Sequence, residues 1–360
     1  MSKIVGVKKT VRVTPTQLAL FENLVDVRFS NSIEIYDLMP KYLQERVTCF
    51  DEADLPPDQH IKERRFQTHV VDGEGKRLAR EGYVKIRPAV IMRKVGGTVK
   101  RLYAYPTYFE QLVEDAIRKI AIEQGAFLND GQVGCRFSIL QVRKLLSETG
   151  HQCKHSDVVE AINILNGAQL EYGLIDPDGK GRASGRSAYF PAIYVRTRDD
   201  MDEGDFDSVV QFHELVNSSI RERTYRNYDF LTCMRYRMPL ANYLHKRISM
   251  RFRQATEQSP YSFHLKKMIA DGGFNVDATI SKNSILMKRA LQELIDAKVI
   301  DRFDYTLIAD PYDKRRSIDA KFAVYVTSGF ARQVITINRH SKDLVGGDNW
   351  IVRVAHVFGD

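Results

Sequence analysis

The apolar residues of this chain follow the same order twice, with helical spacing first and strand-like spacing afterwards. Residues 139–149 and 263–271 each form a short amphipathic stretch that ends at glycine, which tolerates the backbone of a helix C-cap. A second amphipathic stretch follows in each copy, beginning at Ser156 in the first and near Ser281 or Ser284 in the second. The inward positions predicted for these four helices are Leu140, Leu145, Leu146, Val158, Val159, Ile162, Leu165, Leu265, Met268, Ile269, Ile285, Leu291, Leu294 and Ile295.

Each pair of helices is followed by two apolar strands around an Asp-Pro turn with basic residues, which predicts a β-hairpin. The strands are predicted at residues 174–175, 188–195, 307–308 and 320–326. A further helix precedes each copy, at residues 108–124 and 239–253. Helix, helix and hairpin in this order are the elements of a winged helix-turn-helix, whose second helix can enter a DNA major groove. We therefore predict an α+β fold of two tandem winged-helix domains.

The rest of the chain is assigned around these two copies. Residues 83–91 and 98–105 alternate about Gly96-Gly97 and predict a hairpin, whereas the polar residues 50–82 predict a linker or loop. The acidic stretch at 199–207 predicts a boundary between the copies. The resulting division is an N-terminal flexible segment at 1–82, a first winged-helix domain at 83–205, a second at 206–340, and a C-terminal tail at 341–360.

Composition narrows the class of protein. The chain has 360 residues, of which 43% are hydrophobic and 28% charged, as in ordinary soluble domains. It contains no apolar run long enough to span a membrane, and no secretory signal follows its N-terminal lysines. Its four cysteines lie far apart in sequence, which is typical of a reducing compartment. We predict a cytoplasmic protein with no membrane partner.

Positive charge is concentrated in one stretch. The formal net charge is +8, and between Arg221 and Gln254 nine basic residues stand against two acidic ones, with aromatic residues interleaved. A concentrated basic field favours a polyanion such as nucleic acid, although a solvated helix face is the ordinary alternative. The residues of this stretch that we assign to DNA contacts are Lys246, Arg247, Arg251 and Arg253.

The two predicted recognition helices differ in charge. The first carries Lys154, His155, Asp157 and Glu160 and is nearly neutral, which favours a protein interface. Its hairpin adds three candidate DNA-backbone contacts, Lys180, Arg182 and Arg186. Arginine pairs with guanine and asparagine with adenine, while lysine and serine commonly hold phosphates, so base reading is assigned mainly to the second copy. Its candidate residues are Lys282, Asn283, Ser284, Lys288, Arg289, Lys314, Arg315 and Arg316, and for each an ordinary exposed side chain is the alternative.

Two motifs resemble those of the iteron-binding replication initiators of bacterial plasmids. Residues 238–247 are similar to the helix that opens the second domain of that family, and residues 287–295 resemble its DNA-reading helix. The resemblance covers roughly residues 83–330, in domain order rather than close identity. It implies monomers that bind direct repeats in double-stranded origin DNA and help to open an adjacent A·T-rich segment, with its single strands as a further partner. It also implies recruitment of host replication proteins, including helicase and initiator, and dimers formed through the first domain that are held back from initiation.

A pentapeptide near the start resembles a second known motif. The pentapeptide resembles the sequence that binds the bacterial sliding clamp, and the residues that would make this contact are Gln17, Leu18, Leu20 and Phe21, with Ala19 between them. In such motifs the glutamine caps one pocket and the apolar side chains fill another. The alternative is an amphipathic helix in which Leu18 and Phe21 face a core.

Enzyme chemistry finds little support in the residues. There is no phosphate-binding P-loop pattern and no His-x-His pair beside a tyrosine, as DNA-nicking enzymes require. His151, Cys153 and His155 are spaced like metal ligands, with Cys135 as a further candidate, but a fourth zinc ligand is not evident. We predict a non-enzyme without metal or cofactor. A dimeric transcriptional regulator on a palindromic site is the main alternative, and a recombinase or nicking enzyme is a distant third.

Overall fold

Five small antiparallel sheets and ten helices make up the part of the chain that the computed structural model describes. The described residues are 28–44, 49–51, 60–71, 77–129, 132–175, 181–195, 208–221 and 225–345. The fold is mixed α+β, as predicted. Among these residues, none of the helices combines the length and the apolar character needed to cross a bilayer.

The N-terminal segment, residues 28–44, is built into the fold. It contains β1 (Phe29–Ser32) and α1 (Glu34–Leu38). β1 pairs with residues 226–229, nearly two hundred positions further along the chain. Tyr36 and Leu38 are buried, so this part of the predicted flexible segment 1–82 is instead packed against the core.

Residues 49–104 contribute five strands, which are β2 (Cys49–Asp51), β3 (Lys62–Val71), β4 (Arg77–Arg87), β5 (Ala89–Val95) and β6 (Thr98–Ala104). The turn between β5 and β6 has Gly96 and Gly97 at positive φ, which confirms a hairpin at this turn, although its first strand begins at Ala89 and residues 83–87 of the predicted strand belong to β4. The linker predicted at 50–82 is wrong, because β3 and β4 pair along ten residues. Among residues 62–68 of β3, Phe66 and Thr68 are buried and Glu63 and Arg65 are exposed, so its mostly polar composition concealed a strand with one face toward solvent.

The first unit follows the predicted order of helix, helix and hairpin. Its elements are α2 (Tyr108–Gln124), β7 (Phe127–Asn129), β8 (Gln132–Phe137), α3 (Ile139–Glu148), α4 (His155–Gly167), β9 (Gln169–Ile175) and β10 (Gly181–Ala188). Ser138 caps α3 by accepting a hydrogen bond from the Gln141 backbone N–H at 3.1 Å. The second strand of the hairpin precedes the one predicted at 188–195. Leu140 is 70% exposed rather than inward, since the buried stripe of α3 is Ile139, Val142 and Leu146.

The stretch between the two units belongs to both. Its elements are β11 (Ile193–Tyr194), β12 (Ser208–Gln211), α5 (Glu214–Arg221), β13 (Arg226–Asp229) and α6 (Phe230–Met234). β12 pairs with β8 of the first unit, although it lies after the predicted domain boundary at 205–206. β13 pairs with β1, so the N-terminal segment reaches the element that precedes the second unit. The acidic stretch 199–207 lies outside the described residues.

The second unit repeats the order helix, helix, hairpin. Its elements are α7 (Pro239–Arg251), β14 (Tyr261–His264), α8 (Leu265–Asp271), α9 (Ile280–Asp296), β15 (Ile300–Ala309), β16 (Ser317–Val326) and α10 (Ser328–Val345). β16 pairs with both β14 and β15 in a three-stranded sheet. Met287, Leu291 and Leu294 bury one side of α9, whereas Ile285 is 50% exposed, contrary to its predicted inward position. Of the predicted tail, residues 341–345 end α10 and the remainder lies outside the described residues.

Candidate nucleic-acid interface

The basic helix α7 carries charges that face the protein interior. The Lys246 ammonium lies 2.6 Å from the Asp115 carboxylate of α2, and both side chains are buried. Arg247 lies 3.1 Å from Asp271. Burial opposes the charged form of both cations, but nearby anionic and hydrogen-bonding groups, Asp115 foremost for Lys246, hold their pKa values above the ordinary range. These residues therefore join helices to each other, which corrects their assignment as exposed DNA contacts.

Arg251 and Arg253 at the end of α7 contact the N-terminal part of the chain. Arg251 donates to the Gln67 carbonyl at 2.8 Å and lies 3.3 Å from Glu34. Arg253 lies 3.9 Å from the same carboxylate and is partly exposed. Arg251 is thus also corrected from a DNA contact to a packing residue. A count of charges along the sequence could not reveal these contacts, because Glu34 lies more than two hundred positions before the two arginines.

Other members of the basic stretch do reach the surface. Arg235 and Arg237, which sequence reasoning did not single out, are exposed between α6 and α7. They line a surface cleft of about 540 Å³ together with Tyr108, Thr149 and His151. The aromatic residues interleaved with the basic ones are mostly core residues. Tyr225, Tyr228, Phe230, Tyr236 and Tyr243 are all buried.

Helix α9 presents a mixed basic and polar face to solvent. Lys282 and Arg289 are exposed, and Lys288 is half-buried between them and the C-terminal hairpin, β15 and β16. The Lys282 ammonium lies 3.4 Å from Asp277 in the turn before the helix. At the other end, Glu293 accepts hydrogen bonds from the backbone N–H groups of residues 237 and 238. Glu293 therefore holds the C-terminal end of the helix to the start of α7, while Lys282 and Arg289 remain exposed along the helix.

Asn283 and Ser284 are placed on the opposite side of α9. Asn283 is buried, and its side-chain amide donates to the Asp277 carbonyl at 2.8 Å. Its amide oxygen accepts from the Asp277 backbone N–H at 2.9 Å. Ser284 is also buried. Both assignments as base or phosphate contacts are corrected, since Asn283 instead fastens the turn between α8 and α9.

Lys288 connects the helix to the C-terminal hairpin. Its ammonium donates to the Tyr305 hydroxyl at 2.8 Å and lies 4.0 Å from the centre of the same ring. The Tyr305 ring is stacked on Phe322 of β16, with ring centres 5.4 Å apart. Helix α9 and the hairpin are thereby joined into one continuous surface rather than two separate ones.

The tip of the hairpin is basic and ordered. Lys314, Arg315 and Arg316 are all exposed, as expected of phosphate contacts. The Asp313 side chain accepts from the Arg315 backbone N–H at 3.0 Å, and the Asp310 side chain accepts from the Tyr312 N–H at 2.9 Å. These carboxylates thus fasten the turn. Two further cations on the strands, Arg302 and Lys321, are exposed, but they alternate with Phe303 and Phe322 and therefore lie on the face of the sheet opposite to Tyr305.

The first unit differs in what covers its second helix. Arg93 of β5 lies 2.5 Å from Glu160 of α4, so the β5–β6 hairpin packs across that helix. Helix α4 therefore has no exposed cationic face comparable to that of α9. Among the candidate contacts of the first hairpin, Arg186 is exposed on β10, while Lys180 and the side chain of Arg182 lie outside the described residues.

Two sequence candidates remain, the group of possible metal ligands and the clamp-like pentapeptide. His151 forms a 2.5 Å hydrogen bond with the Met234 carbonyl through its Nε2, and Cys135 is buried in the core. Within the described ranges, no group of three His, Cys, Asp or Glu side chains is arranged to hold a metal ion. The clamp-like residues Gln17, Leu18, Leu20 and Phe21 lie outside the described residues.

Comparison with known proteins finds likeness in structure only. No protein-family model matches the chain, and no curated protein matches its sequence. Domains 2 and 3 of RctB are similar at a TM-score of 0.45 and 11% identity, covering 76% of this chain and 94% of theirs. A second structure of these RctB domains has a TM-score of 0.42 and 10% identity, with coverages of 78% and 97%. The Pi initiator protein in complex with iteron DNA is similar at a TM-score of 0.38 and 11% identity, over 61% of this chain and 90% of that one.

Proposed function

We propose that the chain is a replication initiator that binds repeated double-stranded DNA sites through its second unit. In this proposal both units are winged helices, and α9 enters a major groove while the C-terminal hairpin lies along the neighbouring backbone. The observation that carries it is the contact of Lys288 with Tyr305, which unites the exposed cations of helix and hairpin in one surface. The resemblance of residues 287–295 to the DNA-reading helix of iteron-binding initiators supports the same assignment.

The proposed interface is smaller than the distribution of charge in the sequence suggested. Base reading falls to Arg289, which is exposed on α9 and long enough to fork onto a guanine. We assign phosphate contacts to Lys282 and to the three cations of the hairpin tip, because all four are exposed on the two elements that form this surface.

The first unit has a different proposed role. Its second helix is nearly neutral and lies under the β5–β6 hairpin, so we assign this unit to self-association, with Arg186 as a backbone contact. Opening of an A·T-rich segment, recruitment of host replication proteins and use of the clamp-like pentapeptide complete the proposed role. These three activities rest on the sequence resemblance.

The proposal is tested by selecting duplexes from a random library with the wild-type protein and measuring affinity by fluorescence anisotropy. We expect Arg289→Ala to lose about 1–3 kcal/mol of discrimination between the selected site and a scrambled one. Arg315→Ala with Arg316→Ala should weaken both duplexes and flatten the salt dependence, by about 0.9 in the logarithmic slope per phosphate contact. Lys144→Ala, which removes an exposed cation from α3 outside this surface, is the matched control.

Two outcomes would reject the proposal. One is a wild-type protein that selects no sequence. The other is an Arg289→Ala variant that behaves like Lys144→Ala. Direct repeats among the selected sites favour an initiator, whereas inverted repeats bound by a dimer favour the alternative, a transcriptional regulator.

A further inference from the structure

Tyr312 stands out among the apolar and aromatic side chains of the described residues. It is 99% exposed at the tip of the C-terminal hairpin, whereas the next most exposed large hydrophobic side chain, Leu140, is 70% exposed. A single exposed aromatic ring is not unusual in itself. A ring that is almost wholly free of its own protein, at the end of a long hairpin, is available for a partner.

The turn that carries Tyr312 is held by hydrogen bonds on both sides. The Asp310 backbone N–H donates to the Arg316 carbonyl at 2.8 Å and closes the turn. The Arg316 N–H donates to the Asp313 carbonyl at 2.9 Å. The side chain of Asp310 accepts from the Tyr312 N–H itself at 2.9 Å. The backbone of Tyr312 is therefore fixed, and little order has to be gained when its ring meets a partner.

The neighbours of Tyr312 indicate what that partner is. Lys314, Arg315 and Arg316 are exposed beside the ring, and Pro311 precedes it. Aromatic rings together with cations suit nucleic acid, because the ring stacks on bases while the cations hold phosphates. The same hairpin is joined to α9 through Tyr305 and Lys288, so the ring belongs to the proposed DNA-binding surface.

The length of the hairpin gives the position of the ring on DNA. β15 ends at Ala309, four residues after Tyr305, and Tyr312 follows three residues later. At about 3.3 Å per residue, the tip lies roughly 13–20 Å from the contact between Lys288 and Tyr305. Half a turn of B-form DNA is about 17 Å, so a hairpin that starts beside a major groove reaches the next minor groove.

We propose that Tyr312 enters the minor groove beside the site read by α9 and partly unstacks one base step there. The three cations next to it hold the phosphates on either side of the groove. Wedges of this kind bend DNA, and pyrimidine–purine steps such as TA yield most easily. The proposal rests on the proposed function and adds to it a residue that distorts the DNA next to the site.

The experiment uses the full chain and a duplex selected by it, labelled at both ends for energy transfer and with 2-aminopurine at single flanking positions. We expect wild-type protein to bend this duplex and to raise 2-aminopurine fluorescence at one step. Tyr312→Ala should abolish that rise, reduce the bend and weaken binding about ten-fold, since stacking on one base is worth ~1–3 kcal/mol and 1.4 kcal/mol is ten-fold. Tyr312→Phe should behave like wild type. Tyr194→Ala, which removes a 62% exposed tyrosine from β11, is the matched control and should also behave like wild type.

The outcomes separate the two proposals. If wild-type protein binds the selected duplex, but Tyr312→Ala binds and bends it equally, the wedge is excluded and the proposed function stands. A straight wild-type complex excludes the wedge in the same way. If Tyr312→Ala loses affinity only for a single strand of the same sequence, the ring stacks on open strands and the minor-groove wedge is wrong. A wild-type protein with no preferred duplex overturns both.

Discussion

The ammonium of Lys246 lies 2.6 Å from the carboxylate of Asp115, and this buried pair joins α7 to α2. A second buried pair lies nearby, where Arg118 of α2 donates to Asp37 of the N-terminal segment at 2.6 Å. Asp37 also lies 4.0 Å from Lys41. The N-terminal segment and both units thus meet in one buried set of charges. The most basic part of the sequence serves this packing more than it serves the surface.

Breaking the Lys246 pair should unfold the protein more readily without affecting its contact with DNA. Lys246→Met leaves Asp115 buried without its cation, which typically costs about 3–5 kcal/mol. Urea unfolding measures this loss, and anisotropy with the selected duplex measures DNA affinity. The double variant Lys246→Met with Asp115→Leu should recover stability, because it removes both charges. If Lys246→Met keeps its stability but loses DNA affinity, Lys246 contacts DNA and its assignment as a packing residue is wrong.

The connection between Asn283 and Asp277 should matter for stability more than for base reading. Asn283→Ala removes two hydrogen bonds of 2.8 and 2.9 Å from a buried site, at an expected cost of about 1–3 kcal/mol. Gln292→Ala, on the exposed face of the same helix, is the control and should change the free energy of unfolding by less than about 0.5 kcal/mol. Site preference among folded molecules should survive in both. Equal unfolding free energies for the two variants would count against the buried role of Asn283.

Stability should fall as the solution becomes acidic, in part because of His213. Burial lowers the pKa of this ring to about 3, with the nearby Lys41 ammonium adding to the effect. Its Nδ1 accepts from the Leu215 backbone N–H at 3.1 Å, a bond that needs the neutral ring. The unfolded chain takes up this proton below a pKa of about 6.5, so the contribution is complete above that pH and is lost as the pH falls toward 3.

The magnitude for His213 is about 2 kcal/mol between pH 7 and pH 5, at about 1.4 kcal/mol per pH unit below 6.5. His213→Asn keeps an acceptor for the Leu215 N–H but cannot titrate, so its urea unfolding should depend on pH less steeply than that of wild type. His264→Asn is the control, because that ring is more than half exposed. An unchanged slope in His213→Asn would contradict the role assigned to burial.

The hydroxyl of Tyr305 should contribute to DNA binding by holding Lys288 in place. Tyr305→Phe keeps the ring stacked on Phe322 but removes the acceptor of the 2.8 Å hydrogen bond. We expect a loss of about 0.5–1.5 kcal/mol in affinity for the selected duplex, with a similarly small change in stability. Lys288→Met, which also removes the cation over the ring, should lose more affinity and flatten the salt dependence. Equal affinities for wild type and both variants would exclude this contact from the interface.

Much of the local structure could be predicted because it depends on neighbours in sequence. Periodicity and turn residues correctly predict the two helices of each unit, which are α3 and α4 in the first and α8 and α9 in the second. They also predict the turn at Gly96-Gly97 and the C-terminal hairpin. The failures also have local causes. Leu140 and Ile285 are apolar residues on outward positions, and β3 is a strand whose polar face hides its alternation.

The sequence by itself determined the order helix, helix, hairpin within each unit and the excess of positive charge, since spacing and composition are properties of the chain. Only the tertiary structure decided which cations face solvent. Lys246 and Arg247 meet carboxylates on other elements, one of them 131 positions away, while Lys288 and Arg289 on a later helix remain at the surface. The physical reason is that burying a charge is costly unless an opposite charge or hydrogen bonds compensate it, and such pairing across the fold leaves no periodic signal in the sequence.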